Sequence, residues 1–300
     1  MFRAVGMAAR AAWVIAIIAC LIAPAWQASA TTVQDLVNQV SQTSYTSYIT
    51  DSLYTHAGDN KGPGGAQHDA CARSILLTMR QFGLTTYYDP FTYSGYNCKN
   101  VVGILPGVTR PDDIYIISGH YESKSNPGAD DDASGVAAIL EAARIMSKYH
   151  FEATIIFIAF DIEEEGMIGS THYANAHKND NILGMISIDM ICYDTGDRFH
   201  ANLWGADPLT TSLKSSLTSA LVTYGGLTMN DSGAGGNYSD HNPFENVGKP
   251  GVMLTEWPKN YSMHTANDNV DIPGYMDYEF GTRTTRGVVA YLATAAGLIP

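Results

Sequence analysis

The sequence predicts an α/β fold: a single domain on a central, mostly parallel, twisted sheet with helices on both faces. Three observations carry this. Apolar runs of strand length alternate along the chain with stretches of helical period. The run Ile155 to Phe160 is apolar throughout, the pattern of a strand covered on both faces. No internal repeat or low-complexity linker divides the chain.

Taken in order, residues 33–54 open with helical spacing at Val33, Leu36, Val37 and Val40 and continue rich in Ser, Thr and Tyr. Gly58, Gly62, Pro63, Gly64 and Gly65 mark a loop. Residues 70–82 read as an amphipathic helix stopped by Gly83. Residues 85–93, 100–105 and 113–118 read as strands, the second closed by Pro106-Gly107. A strong helix covers 134–149, with Val136, Ile139, Leu140, Ala143 and Met146 on one face. The buried strand 154–160 follows, then a short helix at 168–176 and a strand at 182–190. A helix at 209–224, a Gly-rich loop at 232–238, a strand at 251–255 and a closing helix at 282–298 complete the pattern.

The first thirty residues read as an export signal. Arg3 and Arg10 precede an apolar stretch from Ala11 to Ala23, and Ala28-Ser29-Ala30 fits a small-x-small cleavage pattern. The competing reading is lipid attachment at Cys20. The folded domain is then 31–300, secreted or periplasmic, free of the membrane and monomeric. A net charge of −13 argues against a nucleic-acid partner. Export permits disulfides. Cys71 and Cys98, on neighbouring elements, are expected to pair, leaving Cys192 buried.

Ligands of open α/β sheets gather at the carboxyl ends of the strands. Here those ends carry His120, then Asp130-Asp131-Asp132, Glu163-Glu164-Glu165, Asp189 and His264. Singly, each has a plainer reading. The glutamates fit a solvated loop, Asp132 or Ser134 fits a helix cap, and His264 fits the surface. Together, two imidazoles with carboxylates favour zinc, with cobalt or manganese as substitutes. A catalytic zinc needs three protein ligands. Five candidates and a spare glutamate fit two ions sharing one carboxylate.

The segments Gly119-His120-Tyr121-Glu122-Ser123, Gly128-Ala129-Asp130-Asp131-Asp132-Ala133-Ser134-Gly135, Phe160-Asp161-Ile162-Glu163-Glu164-Glu165-Gly166, Ile188-Asp189-Met190, Ser239-Asp240-His241 and Met263-His264-Thr265 resemble the secreted dizinc leucyl-aminopeptidases of bacteria and fungi. The resemblance implies a zinc-exopeptidase-like fold. It makes His120 and Asp189 ligands of one zinc, Glu164 and His264 ligands of the other, and Asp131 the bridge, with a cis bond to Asp132. Glu163 would be the general base toward a zinc-bridging hydroxide, and peptide or protein N-termini the substrates. Three departures stand out. Glu122 replaces an Asp that orients the first histidine, Met263 stands where some members have a Tyr, and Gly235 and Gly236 stand where others have cysteines. Tyr238 is an alternative source of the missing hydroxyl.

Phe244, Met253, Trp257, Tyr261 and Met263, in the late loops, are candidates for an apolar side-chain pocket, or are plain core. Two other functions share the scaffold: a single-zinc glutaminyl-peptide cyclotransferase, and a non-catalytic binding module. The first is distinguished by its product from an N-terminal glutamine peptide, the second by loss of a ligand or of Glu163.

Overall fold

The computed structural model describes residues 30–193, 196, 199–231 and 238–300. The expected signal with Cys20 lies outside the described residues but for Ala30, as do Gly235 and Gly236. Thr31–Pro300 forms one compact unit.

The opening segment is broken where a continuous helical pattern was expected. Helix α1 (Val33–Val37) starts at Thr32, which forms a capping box with Asp35. Helix α2 (Gln42–Ser47) starts at Ser41, whose hydroxyl accepts from Ser44 N, and a π-helical turn, Tyr48–Ser52, follows. Such short polar side chains favour caps over helix interiors, so they cut the segment in two. Helix α3 spans His68–Gln81.

Strands β1 (Thr85–Tyr93) and β2 (Tyr96–Leu105) form a hairpin through Ser94 and Gly95, whose φ angles are 46° and 84°. Positive φ at both central residues matches the strand twist. Then come β3 (Arg110–His120), α4 (Ala133–Met146), β4 (His150–Phe151), β5 (Ala153–Phe160), α5 (Ile168–Ala176) and β6 (Asn181–Ile188). After these follow β7 (His200–Trp204), α6 (Thr211–Ala220), β8 (Thr228–Asp231), α7 (His241–Asn246), β9 (Gly251–Glu256), α8 (Tyr278–Ala295) and β10 (Leu298–Ile299). Strands β4, β7, β8 and β10 and helix α7 are additions to the sequence reading, and the closing helix runs earlier than the expected 282–298.

The main sheet has eight strands in the order β1-β2-β5-β3-β6-β9-β7-β8. Its centre, β5-β3-β6-β9, is parallel, so four carboxyl ends share one edge. The β1-β2 hairpin joins antiparallel on one side and β7 on the other. Every residue of β5 is buried, as its unbroken apolar run requires. One face packs against α3, α4 and α8, the other against Tyr173 of α5 and Phe244 of α7. Burying each large apolar side chain stabilises the fold by about 1.5–3 kcal/mol.

The expected disulfide is absent. Cys71, Cys98 and Cys192 are free and buried. Cys71 lies on the core face of α3 with its sulfur directed to Leu53 O and Tyr121 O, whereas Cys98 lies on β2 with its sulfur against Tyr96 O. Each thiol has its own carbonyl partners, so being on neighbouring elements does not bring the sulfurs together.

Candidate metal centre

His120 ends β3, is 1% exposed, and is fixed through its ring. Nδ1 lies 3.2 Å from Glu122 O; as the donor there, it leaves the Nε2 lone pair free. Nε2 lies 3.2 Å from Asp131 Oδ1 and 3.8 Å from Asp189 Oδ1. Asp189 is the residue after β6.

Asp131 sits in the loop between β3 and α4, and its bond to Asp132 is cis. Backbone N–H groups of Asp130 and Asp131 donate to Asp268 at 2.7 and 3.1 Å. Asp132 is indeed a helix cap, and more. Its carboxylate accepts from Gly135 N, His120 N and Met190 N, tying α4 to the ends of β3 and β6. A Cβ on Gly135 would collide with Ile188 O, so only glycine lets α4 approach this closely. The buried Lys61 donates from Nζ to Gly128 O at 2.9 Å.

Glu163 and Glu164 leave the end of β5 in a sharp turn. Ile162 and Met167 have φ of 59°, left-handed values that cost about 1–3 kcal/mol each in such residues. Asp161 anchors the turn, accepting from Lys99 N and facing His68 Nε2 at 2.7 Å. Met190 (φ 64°) and His264 (φ 61°) are strained likewise, so strain gathers around the site.

His264 is the open member, its side chain 40% exposed. Its Nε2 lies 2.8 Å from Glu164 Oε2 and 3.1 Å from Asp131 Oδ2. Two groups that could each hold a metal ion result, His120-Asp131-Asp189 and Asp131-Glu164-His264, with Asp131 common to both.

Electrostatics shows what these groups lack. Burial pushes Glu164 up to about 8, helped by the charge of Asp131. Burial also pushes Glu163 well above the usual carboxylate range; nearby His120 opposes this, and Asp240 and Asp189 add to it. Burial works against charge on Asp131 too, but contacts with His120 and His264 outweigh it and hold that carboxyl low. Among the described residues His120 Nε2, Asp131 Oδ2 and Glu164 Oε1 are buried and, close as some of them lie to one another's groups, none makes a hydrogen bond of good geometry. Buried anions and an unused imidazole lone pair fit cations, and this mixed donor set fits zinc.

A model of peptidase family M28 matches residues 100–288, from β2 through most of α8, a span that contains every member of the two groups. The chain belongs to peptidase family M28. A probable zinc metalloprotease of Phaeosphaeria nodorum is 30% identical over 264 residues, covering 67% of this chain and 52% of that protein. One from Pyrenophora tritici-repentis is 30% identical over 251 residues, covering 67% and 57%. The chain thus spans about half the length of the curated relatives it matches. Among solved structures, the Legionella pneumophila LapA aminopeptidase superposes with a TM-score of 0.75 at 22% identity, covering 89% of this chain and 75% of that one. Porphyromonas gingivalis glutaminyl cyclase gives 0.70 at 21%, covering 85% and 98%. These likenesses establish the fold.

In this M28 chain Asp131, Glu163, Glu164, Asp189 and His264 line one cavity of about 520 Å³, and the buried His120 stands behind its wall against Asp131 and Asp189. Of the expected pocket residues, Met253, Trp257 and Met263 line it, as does Tyr238. Phe244 does not: it is fully buried in the core against Phe160 and Tyr173. Tyr261 does not either; it stands 88% exposed and outside the lining. The sequence reading missed Met167, Met190, Asn202 and Trp204 in the wall. Without β7 in the prediction, nothing placed Asn202 and Trp204 beside β9. Asp268 was missed as well, because Asn267-Asp268-Asn269 reads as an ordinary turn. A larger cavity of about 610 Å³, between α6 and α8, has no acidic or imidazole side chain in its wall.

Proposed function

We propose that this chain is an exported aminopeptidase that hydrolyses the first peptide bond of peptides using two zinc ions. The observation that carries the reading is the meeting of two candidate ligand groups, joined through Asp131, at a cavity that Asp131, Asp189, Glu164 and His264 line together with the Glu163 carboxyl. His120, Asp131 and Asp189 would hold one ion, and Asp131, Glu164 and His264 the other. When bound, such ions supply Lewis acidity and lower the pKa of water.

The chain's own groups do the rest. Glu163 takes a proton from the attacking water and returns it to the leaving amine, a role suited to a carboxyl that burial has made basic. The acidic wall attracts the free α-ammonium of a substrate, which favours attack at the chain end. Trp204 and Met253, paired across β7 and β9, offer an apolar surface to the first side chain. Both ligand groups are complete, which favours two ions over the single zinc of a cyclotransferase, and Glu163 is present, which disfavours a non-catalytic module.

The test is product analysis on leucyl peptides with free and acetylated N-termini, and on an N-terminal glutamine peptide, with and without chelator. Release of one residue from free N-termini alone, stopped by chelator and restored by zinc, supports the reading. Cleavage of the acetylated peptides, or cyclisation of glutamine without hydrolysis, overturns it. Export is tested separately by sequencing the N-terminus of the mature protein, with Thr31 expected.

A further inference from the structure

Glu122 is fully buried two residues beyond His120. A carboxylate at this place is expected to steer the imidazole, yet the ring nitrogen Nδ1 faces the Glu122 backbone oxygen at 3.2 Å, and the nearest carboxylate oxygen, Oε2, is 3.7 Å away. The other carboxylate oxygen points away from the ring. This Oε1 accepts from the backbone N–H of Glu164 at 2.9 Å, across 42 residues of sequence. Oε2 is buried without a hydrogen-bond partner among the described residues. Two residues on, Lys124 Nζ donates to Glu164 O at 2.7 Å. The segment after His120 therefore grips the Glu164 backbone at both its N–H and its carbonyl.

We infer that Glu122 is a positioning residue with two separate tasks: its main chain orients His120, and its carboxylate sets Glu164, so that its side chain governs the more open ligand group. The inference rests on the two-ion reading. Its physical content is a matter of reach. Aspartate is shorter by one carbon–carbon bond, about 1.5 Å. From an unmoved backbone it cannot close the contact to Glu164 N. The carbonyl that holds His120 is unchanged by any side-chain substitution. Shortening this residue should thus loosen Glu164 and His264 while sparing His120, Asp131 and Asp189.

The experiment is calorimetric titration of chelator-stripped protein with zinc, comparing wild type with Glu122→Asp and Glu122→Gln, each checked by thermal melting. Wild type should take up two equivalents. Glu122→Asp should bind the first as wild type does and the second about 10- to 100-fold more weakly, the range typical for a lost supporting group. Glu122→Gln keeps an amide oxygen at full reach and should retain the second ion more tightly than Glu122→Asp does. If Glu122→Asp binds both ions as wild type does, or weakens only the first, the inference is overturned while the two-ion reading stands. If Glu122→Asp fails to fold, Glu122→Gln decides: loss of the second ion despite full reach overturns the inference, and retention supports it. Wild type binding a single ion would overturn the two-ion reading itself, and is seen before any variant is measured.

Discussion

His264 Nε2 lies 3.1 Å from Asp131 Oδ2, joining the loop after β9 to the loop that opens α4. The other oxygen of Asp131 faces His120, so the two ligand groups have one member in common. Replacing the shared member should therefore cost more metal than replacing an outer one. His264→Ala is expected to keep about one zinc per chain, and Asp131→Ala less than one, by elemental analysis after dialysis. Equal zinc content in both variants would refute the sharing.

Glu163 lines the cavity but belongs to neither ligand group. Glu163→Gln should leave zinc content near wild type and lower turnover by roughly 10²–10⁴-fold. Full activity in a purified, zinc-loaded Glu163→Gln would remove this residue from the chemistry.

The buried His68–Asp161 pair gives a pH signature. Burial works to discharge His68, but its hydrogen bond to Asp161 and the charge there outweigh it, raising the pKa above the ordinary 6.5. A group raised in the folded state contributes fully below its unfolded pKa, and the contribution fades as pH rises through the folded value. The urea midpoint of zinc-saturated wild type should exceed that of His68→Gln by more at about pH 6 than at about pH 9. A gap that widens with pH would contradict the sign.

Met253 faces Trp204 across the antiparallel β7–β9 pair. Filling that space with Met253→Trp should lower kcat/KM for a leucyl substrate by about 10–200-fold, the discrimination apolar pockets achieve, and spare an alanyl one. A uniform loss on both substrates would place Met253 outside the side-chain pocket.

Three buried, separate cysteines should all titrate. Protein beginning at Thr31, denatured without reductant, should yield three thiols per chain by Ellman titration. One thiol would restore the Cys71–Cys98 bridge.

Elements whose residues agree with their neighbours were legible from the sequence. The bounds of β1 and α5 match the prediction, and β5 differs by one residue, because an apolar run or a clear period leaves few alternatives. The convergence of the candidate ligands was legible too, since a parallel sheet sends successive strand ends to one edge. Strand β7 was not: His200-Ala201-Asn202-Leu203-Trp204 mixes polar and apolar residues at a flank of the sheet. Phe244 misled because an aromatic residue near the site looks alike whether it lines a cavity or fills the core behind it. The direction of the Glu122 carboxylate depends on a contact with a residue far along the chain, which no local pattern encodes.

Gly135 has no side chain to offer, yet it acts as a spacer of zero thickness between α4 and the end of β6, where Ile188 precedes Asp189. Adding one methyl group there would wedge the helix outward and carry the aspartate loop with it, widening the gap between Asp131 and Asp189. A mutational library screened for zinc retention should therefore leave this position as blank as the ligands themselves, although nothing at it ever touches an ion.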